Sequence, residues 1–339
     1  MLDDPAASLA QILPWQAGQW QKLRSQIDAG KFAHALLIAG VPGIGKLQFA
    51  LAARNYLLCE QPSQFACGEC RSCTLLSAQT HADFVTLQPE EPGKVIRVDQ
   101  VRELSQFVAQ TAQRSGRKVV LLTPADALNI NAANALLKSL EEPTPDTYFL
   151  LLCAVPRRLP ATIRSRCQTL TLATPAPDIA LAWLTEQLDD GAAARRRLQL
   201  MRGRPCAALV ADDEHMQIQQ AVCSGVQAVA QSRAAMPAVV EQWSKLPLQL
   251  LLERLANYLA DSTRFALAAQ TGAEIDSDER QAYARISQQV PVERLFAVYA
   301  AAQDVLKRLH HGGNPNKQLA LEALLIEFHT SSSSRLAKA

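Results

Sequence analysis

A glycine-rich loop constrains the fold of this 339-residue chain more than any other feature. Residues 35–39 (ALLIA) are apolar throughout, residues 40–46 (GVPGIGK) match the pattern G-x-x-x-x-G-K, and a helical pattern follows. Strand, loop and helix in that order form a phosphate-binding loop, in which backbone N–H groups and a helix N-terminus face an anion. We therefore expect Gly40, Gly43 and Gly45 to shape a cradle and Lys46 to reach the outer phosphates. An ordinary glycine-rich βα turn is the alternative.

The positions that hold Mg²⁺ in P-loop enzymes carry other residues here. A Ser or Thr hydroxyl should follow the lysine, but the chain has Leu47. A carboxylate should follow a neighbouring buried strand, but residues 119–122 (VVLL) are followed by Thr123 and Pro124. Asp126 lies further along than that carboxylate should. Binding of ATP or ADP by the backbone and Lys46 stays open, whereas hydrolysis is not expected.

Four clustered cysteines predict a structural zinc site. Cys59, Cys67, Cys70 and Cys73 have the spacing C-x7-C-x2-C-x2-C, with Gly68 in the turn. Four thiolates complete the tetrahedral shell of Zn²⁺, and a catalytic zinc would need an open position. Metal binding would also fold an excursion too small to have its own core. The alternative is four unrelated cysteines.

Composition limits the classes of protein to which the chain belongs. Hydrophobic residues make up 48% of the chain and charged residues 19%, which is typical of a globular protein. The net charge of +2 argues against a protein that holds nucleic acid by itself over a broad face. The first residues carry acid rather than the base of a signal peptide, and the longest apolar run, 148–155, falls short of the ~18 residues that span a membrane. We expect a cytoplasmic protein with reduced thiols.

Alternation of strand-like and helical segments predicts an α/β fold. It continues to residue 172 and indicates a mostly parallel sheet, and helical periodicity dominates afterwards. One of the helices should run from Asp99 to Gln110, with Asp99 as its N-cap. The predicted division is an α/β domain at 1–174 with its insert at about 59–73, a small helical lid at 175–212, an all-α collar at 213–330 and a frayed tail at 331–339.

A basic segment follows the predicted strand at 148–153. Residues 156–167 (PRRLPATIRSRC) contain four arginines, and we expect them near the carboxyl ends of the strands at the domain edge. An arginine at such an edge can stabilise phosphoryl transfer on a neighbouring subunit. A solvated basic turn is the alternative, since charged loops are common.

Taken together, these residues resemble the clamp-loader branch of the AAA+ proteins. The matching segments are residues 34–37 (HALL) leading into the phosphate loop, the four-cysteine insert, residues 98–102 (VDQVR), residues 134–143 (NALLKSLEEP) and residues 165–167 (SRC). The similarity is specific over the first half of the chain. The second half agrees in length and helical character with the lid and collar domains of that family.

The resemblance implies a role for each of these parts. Ser165, Arg166 and Cys167 form the family's trans-acting motif, in which Arg166 contacts the γ-phosphate of ATP on an adjacent motor subunit. The family resemblance implies a five-subunit assembly with the motor (gamma/tau) and wrench (delta) subunits of bacterial DNA polymerase III, which opens the sliding clamp and places it on primer–template DNA. This chain would be the rigid, non-hydrolysing arm. Cys206 stands where ATP-using relatives carry a sensor arginine, with Arg204 as the nearest substitute.

Two rival interpretations remain at this point. The chain is either a motor subunit that hydrolyses its own ATP, or a zinc-stabilised adaptor with a vestigial nucleotide fold and no part in replication. Retention of Gly45 and Lys46 leaves nucleotide binding open, as a fully eroded loop would not.

Overall fold

The computed structural model describes residues 11–91, 93–114, 116–268, 277–310 and 313–328. The tail predicted at 331–339 lies outside these residues. The chain forms two compact units, residues 1–210 and residues 211–339. The first unit contains both the α/β part and the segment predicted as the lid, so the three-part division stays a prediction.

A five-stranded parallel sheet forms the centre of the first unit, with the strand order β2-β3-β4-β1-β5. Its strands are β1 (Ala35–Ala39), β2 (Phe84–Leu87), β3 (Lys118–Leu122), β4 (Thr147–Cys153) and β5 (Gln168–Thr171). Every residue of β1 and β3 is buried. The continuous apolar runs form central strands because helices cover both faces of the sheet.

Helices precede, separate and follow these strands in the first unit. They are α1 (Ala17–Asp28), α2 (Lys46–Leu58), α3 (Arg71–Ser77), α4 (Val98–Ala109), α5 (Ile130–Glu141), α6 (Ala161–Arg164), α7 (Pro177–Leu188), α8 (Gly191–Leu200) and α9 (Pro205–Val210). Buried side chains of α1 and α2 pack on one face of the sheet, and those of α4 and α5 pack on the other. This arrangement confirms the predicted parallel α/β domain.

The predicted cap of α4 is wrong by two residues. The helix begins at Val98, and its N-cap is Arg97. The side chain of Gln100 accepts the Arg97 N–H at 3.0 Å, whereas Asp99 pairs with Arg102 on the exposed face. The propensity of aspartate for N-caps is only a local preference, and here a glutamine in the first turn satisfies the terminal N–H instead.

Helices alone form the described part of the second unit. They are α10 (Asp213–Gln231), α11 (Met236–Ser244), α12 (Leu248–Ala268), α13 (Ser277–Gln289), α14 (Val292–His310) and α15 (Lys317–Ile326). Trp243 is fully buried in their core and donates its indole N–H to the Ala221 carbonyl at 3.2 Å. A side chain on Gly225 would begin 2.8 Å from the Trp243 ring, so only glycine fits there.

Among the described helices, none combines the length and the apolar character that crossing a membrane requires.

Substitution of Gly225 by valine should lower the free energy of unfolding by about 2 kcal/mol, because overpacking a filled core displaces the indole. Ser224→Val, one residue earlier and exposed, is the matched control and should change it by less than about 0.5 kcal/mol. Chemical denaturation of both variants measures the difference. Equal stabilities would show that the tight contact has no energetic consequence.

Candidate metal, phosphate and arginine sites

The four clustered cysteines meet at one point. Their sulfur atoms all lie within 4.8 Å of one another, and the Cys59–Cys70 and Cys67–Cys73 sulfur pairs are each 4.0 Å apart. A tetrahedral zinc ion with Zn–S bonds of about 2.3 Å requires sulfur atoms about 3.8 Å apart. The donor set therefore fits Zn²⁺, as predicted from the spacing.

Local backbone geometry prepares these sulfurs for a cation. Cys59 follows the end of α2, and Gly68, with φ +86°, turns the chain so that Cys70 caps α3. Backbone N–H groups of Cys67, Cys70 and Cys73 donate to the sulfurs of Cys59, Cys67 and Cys70 at 3.2, 3.3 and 3.4 Å. Such donors favour the thiolate, and those from Cys70 and Glu69 lower the pKa of Cys67 to about 7, whereas burial raises the pKa values of Cys59 and Cys73.

A polar network fastens the cysteine insert to the rest of the unit. Glu60 accepts both the N–H and the hydroxyl of Ser72, each at 3.2 Å. His81 Nδ1 accepts the Asp83 N–H at 3.1 Å, so its Nε2 carries the proton and donates to the Ser72 hydroxyl at 3.3 Å. These contacts position His81 as a support of the insert rather than a fifth ligand. Sequence spacing gave no signal for this network.

Aromatic packing adds a second attachment. Trp20 of α1 stacks on Phe65 of the insert, with ring centroids 5.5 Å apart and planes 11° apart. Its indole N–H donates to the Gln64 carbonyl at 3.2 Å. The insert is thus held against α1 by both an apolar contact and a hydrogen bond.

The glycine-rich loop has the backbone of a phosphate cradle. It joins β1 to α2, and the N–H groups of Gly43, Ile44 and Gly45 donate to none of the described residues. Lys46 Nζ instead contacts the loop itself, donating to the carbonyls of Gly40 at 2.6 Å and Val41 at 2.8 Å. Burial lowers the pKa of Lys46. An anion in the cradle would therefore compete with carbonyl oxygens for this ammonium group.

Two neighbouring segments cover the outer side of the loop. The Gly43 carbonyl accepts N–H groups of Cys206 and Ala207 in α9, at 3.0 and 3.3 Å. At the other end, Trp15 Nε1 donates to the Ile44 carbonyl at 3.0 Å, and Gln16 Nε2 to the Gly45 carbonyl at 2.8 Å.

Both glycines are needed for this close approach. A Cβ atom on Gly43 would lie 2.5 Å from that of Ala207, and one on Gly45 would lie 2.2 Å from a methyl group of Leu13. The glycines predicted to bind phosphate thus also let α9 and residues 13–16 pack on the loop.

The positions that hold Mg²⁺ in P-loop enzymes have other contacts here. Leu47 is half-buried and packs against the core. Thr123, directly after β3, donates its N–H to the Leu87 carbonyl at 3.0 Å. The carboxylate of Asp126 accepts the N–H groups of Ala154 and Val155 at 3.4 and 3.2 Å. Its charge also raises the pKa of Lys46, against the larger effect of burial.

Arg166 lies between α6 and β5 and makes contacts within its own chain. Its Nη2 forms an ion pair with the Glu141 carboxylate, and its Nη1 donates to the Thr162 carbonyl at 2.9 Å and the Ser165 hydroxyl at 3.4 Å. Cys167 is half-buried beside the core, and burial raises its pKa to about 11. Arg166, by contrast, keeps 35% of its side chain exposed.

The expectation that this whole basic segment lies near the carboxyl ends of the strands is wrong for Arg166. Arg157 follows the carboxyl end of β4, but the chain then runs back past the sheet so that β5 can pair in parallel with β1. Arg166 therefore precedes the amino end of β5. The glycine-rich loop leaves the opposite end of β1, which is about 16 Å long. Arg166 and the loop of the same chain therefore lie at opposite edges of the sheet, the arginine where the strands begin and the loop where they end.

Two family models match the chain. A model described as DNA polymerase III, delta subunit, matches residues 15–176, and one described as DNA polymerase III, delta subunit, C terminal, matches residues 213–330.

Individual proteins are similar over nearly the full length. DNA polymerase III subunit delta' of Pseudomonas aeruginosa is 39% identical, with 94% of this chain and 98% of that protein covered. The same subunit of Yersinia pestis is 34% identical, with 94% and 95% covered. Among solved structures, a DNA polymerase III gamma subunit-related protein of Thermotoga maritima is 17% identical with a TM-score of 0.42, covering 91% of this chain and 97% of that one.

The purified chain should contain about one zinc ion, since four thiolates complete its shell. Replacing both Cys67 and Cys70 by serine should release the ion and increase proteolysis within residues 59–77, because the metal holds the insert together. Elemental analysis and limited proteolysis measure the two effects.

Cys223→Ser, which removes a thiol from the second unit, is the control and should retain the zinc. A native chain without metal, or a double variant that keeps it, would refute the assignment.

Proposed function

The chain belongs to the DNA polymerase III subunit delta' family, and from this premise we propose that it is a non-hydrolysing, stator-like subunit of the clamp loader. In this role it supplies Arg166 to ATP bound on a neighbouring motor subunit. The assembled loader, with gamma/tau and delta subunits, would place the sliding clamp on primed DNA. Assembly through the helical second unit and a cytoplasmic location complete the proposal.

The single observation that supports this proposal best is the separation of Arg166 from its own phosphate loop. Because the strands are parallel, the two groups lie at opposite edges of one sheet. An arginine so placed is remote from a nucleotide on its own chain but available to one on an adjacent subunit. The transition state of phosphoryl transfer carries negative charge spread over the equatorial oxygens of the transferred group, and a guanidinium stabilises that charge.

The contacts of the phosphate loop support the non-hydrolysing part of the proposal. Hydrolysis requires side chains that hold Mg²⁺ and orient the attacking water. Here Leu47 packs against the core, and Asp126 already accepts two backbone N–H groups. Nucleotide binding without turnover is compatible with the N–H groups of Gly43 and Gly45, which donate to none of the described residues, once Lys46 leaves its own loop carbonyls. We propose the same division of labour as the family resemblance implies: a subunit that assists hydrolysis without performing it.

The zinc site has a structural role in this proposal. Cys59, Cys67, Cys70 and Cys73 would hold the ion, which when bound cross-links the insert that α1 supports. Neither the loop nor Arg166 contacts these cysteines in the described structure, so no part of ATP hydrolysis is assigned to them.

Arg166→Ala should lower the DNA-stimulated ATPase rate of the reconstituted loader by about one third, the share of one active site among three motor subunits. An arginine finger contributes ~10³–10⁵ in rate at the site it serves, while the other sites of the complex keep their own. The variant should assemble normally, because Arg166 is partly exposed. Steady-state ATPase assays and size-exclusion chromatography measure both properties.

Arg164→Ala provides the control, since this exposed arginine lies in the same segment, within α6. Its complex should match the unmodified loader. An unchanged rate for Arg166→Ala in a fully assembled complex would remove Arg166 from the mechanism.

A further inference from the structure

The ion pair between Arg166 and Glu141 joins the proposed catalytic arginine to a helix of its own chain. An arginine has five N–H donors in a fixed planar arrangement. Nη1 donates to the Thr162 carbonyl and the Ser165 hydroxyl, and Nη2 forms an ion pair with the Glu141 carboxylate. The side chain nevertheless keeps 35% of its surface exposed. The guanidinium can therefore face phosphate oxygens while it stays attached to its own subunit.

Glu141 is attached to a rigid part of the fold. It is the last residue of α5, directly after Leu140, which is buried in the core. The Leu140 carbonyl lies 3.0 Å from His34 Nε2, and the His34 carbonyl accepts the Phe149 N–H at 2.7 Å. The position of the carboxylate is thus set by a core helix and the amino ends of β1 and β4, whereas Arg166 belongs to a short connecting segment.

The stability of the fold does not explain the pair. Arg166 and Glu141 keep 35% and 46% of their side chains exposed, and exposed ion pairs contribute little to folding because solvent screens them. The pair instead restricts the side-chain conformations of Arg166. Without this partner the arginine would sample many rotamers, and that conformational entropy would be lost when the guanidinium binds a phosphate.

We infer that Glu141 is a positioning residue for Arg166, an inference that rests on the proposed function above. Its carboxylate holds one corner of the guanidinium and fixes the orientation of its exposed part. The nucleotide on the neighbouring subunit then meets an ordered arginine. Glu141 itself contacts neither the nucleotide nor the reacting atoms. Ordering one long side chain in advance corresponds to about three- to tenfold in rate at the site concerned.

The test uses the reconstituted loader with Glu141→Ala, Glu141→Gln and Arg166→Ala, alone and combined. Glu141→Ala should lower the part of kcat that depends on Arg166 by about three- to tenfold, with the KM for ATP unchanged. Glu141→Gln keeps a hydrogen-bond acceptor and should restore part of the loss. In the Arg166→Ala background, Glu141→Ala should have no further effect.

The controls separate positioning from folding. Glu142→Ala changes the next carboxylate, which is exposed, and should leave kcat, KM and assembly unchanged. The thermal midpoint of the Glu141 variants should match that of the unmodified chain.

Three outcomes would overturn the inference. A normal rate for Glu141→Ala, beside a reduced one for Arg166→Ala, would reject Glu141 and leave the proposed function intact. A raised rate would identify the carboxylate as a brake on the arginine. A loss that persists without Arg166 would mean that Glu141 acts elsewhere. If Arg166→Ala itself has no effect, the proposed function fails, and this inference fails with it.

Discussion

Parallel pairing of β5 with β1 is the constraint on which the account depends. Since both strands point the same way, the chain must return to the amino end of the sheet before β5 begins. That return brings Arg166 beside Glu141 at the end of α5 and away from the loop that follows β1. The glycine-rich loop and Arg166 therefore lie at opposite ends of the parallel strands, which is the separation on which the proposed function rests.

The two edges differ in what they retain. At the cradle edge, the backbone of a phosphate loop persists, but Lys46 donates to its own loop and α9 packs on Gly43. At the arginine edge, the guanidinium is partly exposed and has a carboxylate partner on a core helix. Hydrolysis needs a metal and an oriented water as well as a cradle, so the proposed function assigns turnover to a neighbouring subunit and only the arginine to this one.

Local patterns predicted most of the fold and much of the sites. The apolar runs 35–39 and 119–122 identified buried strands, and the spacing of the four cysteines identified sulfurs that meet within 4.8 Å. The two errors have different causes. The start of α4 is set by a local bond between Gln100 and the Arg97 N–H, which the preference of aspartate for N-caps does not reveal, whereas the position of Arg166 depends on strand pairing. The Glu60–Ser72–His81 network and the Glu141 partner join residues distant in sequence, so no spacing rule could reveal them.

The central claim is that this chain assists ATP hydrolysis without performing it. The most direct test is the DNA-stimulated ATPase rate of a reconstituted loader in which this chain alone carries Lys46→Ala. The account predicts an unchanged rate, because a cradle without magnesium ligands contributes no turnover. A fall proportional to the loss of one ATPase site, in a complex that still assembles, would show that this subunit is itself a motor and would contradict the account.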